Sequence, residues 1–184
     1  MRYFTLGNNR PIWGFFYHFF ITLFGEQQPW FWHLFGIFWR WLTAVLLWSL
    51  VRLVWPGHDR VAFFAAALFT VYPGFQLQQI SLLVGHMWLV LASLLFSLCM
   101  NVLAFRRPRR FLLYSSLAII SSTVNLLAFE YFFLLELVRP LLLWFVAGQA
   151  TPHWRLQIRR TLLAWLPYAL LFAGVVIWRS FFFV

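Results

Sequence analysis

Six stretches of this chain, residues 30–54, 61–80, 86–105, 111–127, 129–148 and 161–183, are apolar almost from end to end. A bilayer's hydrocarbon core is about 30 Å thick, and about 20 helical residues cross it. Within lipid every backbone amide needs a partner inside the protein, so a spanning segment is either a helix or a strand of a closed barrel. Barrel strands alternate apolar and polar residues over about 10 positions. These runs are longer and do not alternate. With 64% hydrophobic and 10% charged residues, the chain is far from the roughly 25% charge of a soluble domain. The fold class is therefore all-α. A polytopic transmembrane helical bundle is expected over 1–184 as one domain, with about six spans and one short helix. That short helix, residues 11–25, has Gly14, His18 and Thr22 spaced four apart on one stripe. It suits the membrane interface or a position beside a site.

The formal charge is +10, and all 14 basic residues are arginine. Clustered between apolar runs, they read as the positive-inside pattern, not as a nucleic-acid surface. The loop holding Arg52 and Arg60, the cluster at 106–110 and the loop with Arg155, Arg159 and Arg160 should face the cytoplasm of a multi-pass cell-membrane protein. The 72–86 and 123–131 turns then face outward, and residues 1–28 lie outside. Pro152 to Arg160 is expected to be a loop. The single Cys99 rules out a disulfide framework and a cysteine metal site. Polar Gly7 to Arg10 ahead of the first apolar run, with no small-residue cleavage site after it, argues against a cleaved signal peptide.

Ser93, Ser97 and Asn101 recur every four residues, as do Ala118 and Ser122. Small polar residues at that spacing let membrane helices approach closely. The acidic residues are Glu26, Asp59, Glu130 and Glu136. Asp59 and Glu26 read as loop charges. Glu136 and Arg139 have the spacing of an intrahelical ion pair. Glu130 sits at the outer mouth of a span, where an ionisable residue is a candidate for function. Arg40 lies well inside its run, between Trp39 and Trp41, and must find an acid, water or a phosphate. His33, seven residues earlier, shares its helix face. His86 is an outer-loop polar group that could line a cavity, as are Gln76, Gln78 and Gln79. Soluble catalytic signatures such as HExxH, GxSxG or a glycine-rich phosphate loop are absent, and the residues name no cofactor.

Several motifs occur in a fixed order. Asn9-Arg10-Pro11 precedes an aromatic helix ending Leu23-Phe24-Gly25, and Trp32-His33-Leu34 opens a long helix. Leu68 to Pro73 (LFTVYP) leads to a polar turn, and Ala128-Phe129-Glu130 is followed by Pro140. Together they resemble the GT-C superfamily of membrane glycosyltransferases, most nearly bacterial proteins similar to protein O-mannosyltransferases. The resemblance covers most of residues 8–145. It implies transfer of a sugar from a polyprenyl-phosphate donor at the outer membrane face, with Arg10, His33, Arg40, His86 and Glu130 as donor-phosphate or cavity residues. The chain departs from the family in lacking the outer-loop Asp and the helix before Arg10-Pro11. It has Gly36 and Arg40 where relatives often carry Asn and His, and Phe129 where they carry Lys.

The expectation is therefore several core helices of a larger enzyme, without its general base and inactive alone, in contact with membrane lipids and a polyprenyl-phosphate sugar. Two alternatives remain: a non-catalytic assembly or lipid-binding protein, and a transporter subunit. The latter would need polar groups across the bilayer, whereas the sequence places them near the outer ends. Arg40, His33 and Glu130 are expected to converge on one outward-facing polar cavity.

Overall fold

The structure, a computed structural model, describes residues 11–25, 28–72, 81–128, 130–150 and 153–182. Among the described residues seven α-helices follow one another: α1 Pro11–Phe24, α2 Pro29–Val54, α3 Asp59–Val71, α4 Ser81–Arg106, α5 Phe111–Ala128, α6 Val138–Ala150 and α7 Trp154–Phe182. Short 3₁₀ segments cover Pro108–Arg110 and Glu130–Leu137. No strand occurs among the described residues. Among the described residues five helical segments are long and apolar enough to cross a membrane: Pro29–Val54, Gly85–Arg106, Pro108–Ala128, Glu130–Ala150 and Trp154–Phe181. This is the architecture of a multi-pass membrane protein. Of the expected span at 61–80, helix is described only through Val71, and residues 73–80 lie outside the described residues.

The centre of the bundle is α4. In its apolar stretch 67% of residues are buried, against 17–28% in the other four. It packs mainly between α2 and α5. Beside α2 it runs in the same direction. Gly85 lets Phe35 approach so closely that an added Cβ would lie 3.0 Å from the ring. Further along, Leu50 and Val54 of α2 pack with Leu94, Leu98 and Val102 of α4. Thr43 Oγ1 donates to the Trp88 carbonyl at 3.3 Å, and Cys99 Sγ to that of Leu46 at 3.5 Å. Against α5 it runs antiparallel: Ser97 Oγ donates to the Ala118 carbonyl at 2.6 Å and Ser121 Oγ to that of Ser93 at 2.8 Å. The small-residue stripes expected from sequence thus form this interface, and they also supply its hydrogen bonds.

The arginine-rich loops gather at one end. Arg52 pairs with Asp59 across the α2–α3 turn. Gln149 near the end of α6 donates to the Val54 carbonyl at 2.7 Å and accepts from Arg106 at 2.7 Å. Gln157 in the first turn of α7 donates to the Trp144 carbonyl. The expected loop over 152–160 is helical from Trp154 onward, since arginine, leucine and glutamine are good helix formers. At about 1.5 Å per residue α7 is about 43 Å long, so its basic first turns extend past a hydrocarbon core of about 30 Å.

The run 129–148, read as one helix, is divided. Pro140 lies in the first turn of α6, where its missing N–H is tolerated. One turn deeper into a helix its ring would clash with the carbonyl of Glu136. The preceding eight residues take 3₁₀ geometry instead. At about 120° per residue, Glu130, Phe133 and Glu136 then fall on one face. In an α-helix at about 100° per residue Glu136 would be rotated about 240° from Glu130.

Candidate functional site

That shared face meets α7 and α5. Glu136 accepts from Arg139 Nε at 2.8 Å and Nη2 at 3.0 Å, and from Ser122 Oγ at 2.7 Å. Arg139 Nη2 also donates to Ser97 Oγ at 3.0 Å, and its guanidinium lies 4.0 Å from the Tyr168 ring centroid. The pair expected from the spacing is thus present, and it is deeply buried, with side chains 0% and 5% exposed. Arg139 Nη1 has no hydrogen-bond partner. A bidentate Arg–carboxylate geometry with a further donor on the carboxylate offsets much of the cost of burying both charges.

One turn further from the arginine-rich end, Asn125 is fully buried and neither atom of its amide has a partner. Beyond it Arg179 Nη1 reaches Glu130 at 2.9 Å, lies over Phe133 and approaches the Leu126 carbonyl. On the other side of Arg139, Asn101 and Tyr168 continue the polar line toward the arginine-rich end. Polar groups therefore do not gather only near the outer ends. They run through the core between α4, α5, the 3₁₀ segment and α7. Sequence reasoning missed Tyr168 and Arg179 as partners and the burial of Asn125. Helix periodicity alone could not align them with a 3₁₀ turn.

The expected site residues occupy different surroundings. His86, read as an outer-loop group, is 1% exposed and sits within helix α4, ringed by Phe20, Trp32 and Phe35 at 5.5–5.9 Å. The correction has a simple cause. Helix α4 begins at Ser81, so His86 lies inside it, and Phe20 of α1 meets its ring edge-on. Arg40 donates to the Thr70 carbonyl in the last turn of α3 and lies 5.5 Å from the Trp88 ring. His33 is exposed. Glu130 pairs with Arg179. The contacts described for Arg40, His86 and Glu130 run to separate neighbours. Arg10 lies outside the described residues, as do Glu26, Gln76, Gln78 and Gln79.

Asp59, Glu130 and Glu136, the acidic residues among those described, each pair with an arginine: Arg52, Arg179 and Arg139. Among the described residues no group of three or more His, Cys, Asp or Glu side chains comes together. Set beside family models, curated proteins and solved structures, the chain matches none. The GT-C likeness rests on the ordered motifs alone.

Proposed function

We propose that this chain is a membrane-embedded helical core of the GT-C kind that holds a polyprenyl-phosphate-linked sugar and does not transfer it unaided. The observation that carries the reading is that every described carboxylate is engaged by an arginine. A general base must reach the acceptor's proton and contributes about 10²–10⁴-fold when placed to do so. A carboxylate bonded to a guanidinium must give up that bond before it can reach an acceptor. Arg40 supports donor binding, because a planar guanidinium suits a lipid phosphate. In this reading the arginine-rich end faces the cytoplasm and the Glu130–Arg179 end faces outward.

The test uses the purified chain in vesicles carrying a polyprenyl-phosphate mannose. Retention of the donor in native mass spectrometry, with no sugar release above protein-free vesicles, is the expected result. Transfer above that background, or no retention, overturns the reading. The polar line through the core favours a second reading, a transporter subunit. Proton flux in proteoliposomes that is lost in Glu136→Gln would establish it over the first.

A further inference from the structure

At the arginine-rich end, α4, α5 and α7 leave a groove of about 270 Å³ between them. Its walls are mainly apolar, among them Phe105 of α4, Phe111 of α5 and Ala164 of α7, with Asn101, Ser115, Ser116 and Tyr168 as polar members. Pro167 lines it as well. Lacking an N–H, Pro167 leaves the Leu163 carbonyl without its helical donor, and such prolines bend helices. The groove thus lies beside the proline of α7.

The chain around its mouth is densely cationic. Phe105 is followed directly by Arg106 and Arg107, Phe111 is preceded by Arg109 and Arg110, and Arg160 lies one turn before Ala164. Segments 103–111 and 153–161 hold seven arginines and no acidic residue. Arg106 is committed to Gln149. Arg107, Arg109, Arg110, Arg159 and Arg160 are exposed, and the described ion pairs use none of them. Basic pockets between membrane helices bind anionic head groups, with each arginine near the surface contributing about 1 kcal/mol.

We propose that this groove is a binding site for an anionic phospholipid, its phosphate held by Arg107, Arg109 and Arg110 with Arg159 or Arg160, and an acyl chain lying along Phe105, Phe111 and Ala164. The charge and the apolar walls are two separate features that coincide at one place. A lipid satisfies both, whereas inorganic phosphate satisfies only the first. The site is independent of the donor reading, which concerns Arg40 midway along α2.

The experiment reconstitutes the full chain in vesicles of equal phosphatidylglycerol and phosphatidylcholine, then measures the lipid retained after detergent extraction by native mass spectrometry. Phosphatidylglycerol should be retained in several-fold excess. R109Q/R110Q, both surface changes, should lower that retention about 30-fold, the equivalent of two contributions of about 1 kcal/mol each. Ala164→Trp, which fills the groove and leaves every charge in place, should lower it too. Equal retention of the two lipids overturns the proposal. So does a double variant that binds as well as the parent. Loss with R109Q/R110Q but full retention with Ala164→Trp overturns it also, because the arginines would then act as a general surface charge. Inorganic phosphate that displaces the lipid at millimolar concentration would do the same, by showing that the acyl chain contributes nothing.

Discussion

Replacing Arg139 by leucine removes three hydrogen bonds at once, two to the Glu136 carboxylate and one to Ser97. Glu136 stays 5% exposed, with the Ser122 hydroxyl as its remaining donor. Neutral hydrogen bonds between membrane helices average about 0.6 kcal/mol, and a sum on that scale would suggest a loss of about 2 kcal/mol. The charged case outweighs it. Bonds to a charged group are worth about 1.5–3 kcal/mol each, and stranding one partner of a buried pair costs about 3–5 kcal/mol. The expected loss is therefore about 3–5 kcal/mol. Arg139→Leu combined with Glu136→Leu removes both charges and should return to within about 1 kcal/mol of the parent, as apolar replacements of buried pairs do. Ser97 keeps its bond to the Ala118 carbonyl in either variant. Unfolding in mixed micelles with rising SDS, followed by the fluorescence of the 12 tryptophans, measures all three proteins. A single variant that loses less than about 1 kcal/mol, or a double variant less stable than the single, refutes the reasoning.

The Glu130–Arg179 pair is a contrasting case. Glu130→Gln should cost less than about 1 kcal/mol in the same titration, because Glu130 is 39% exposed and solvent screens its bond to Arg179. Arg40→Leu should lower stability by no more than about 3 kcal/mol, the upper scale of a charged bond such as that to the Thr70 carbonyl, and should abolish retention of the polyprenyl-phosphate donor. For orientation, single cysteines at exposed positions 109 and 131 test the arginine asymmetry in intact cells. An impermeant maleimide should label 131 and not 109, and the native Cys99, being buried, should stay silent. Pro140→Ala removes the obstacle to α-helix over 136–140. It should raise helical circular dichroism slightly while lowering stability, since Glu130 and Glu136 could no longer share a face.

The long spans were readable from sequence because hydrocarbon thickness fixes their length. The structure starts α2 at Pro29 and ends α5 at Ala128, each one residue from its expected bound. The Glu136–Arg139 pair was readable because its spacing is local. The remaining partners depended on two features that periodicity does not carry. One is the change of winding before Pro140, which turns Glu130 and Glu136 to one side and brings Arg179 and Ser122, residues of other helices, to them. The other is the packing of α1 over α2 and α4, which converts His86 from an expected loop residue into one enclosed by Phe20, Trp32 and Phe35. Asn125 showed no sequence signal beyond its polarity, because its burial follows from how α5 meets several neighbours.

The local nature of the Glu136–Arg139 bond bears on how the chain enters the bilayer during synthesis. A lone Arg or Glu at mid-membrane costs about 2.5–3.5 kcal/mol at the insertion step, before any other helix is there to receive it. Here the two charges are three residues apart and can join inside a single emerging hairpin. The segment then crosses into lipid with its charges already cancelled. Ser97 and Ser122 on α4 and α5 precede it in the chain and are waiting when it arrives. Order of synthesis and order of assembly therefore coincide: the earlier helices present hydroxyls, and the later segment brings a preformed pair to them.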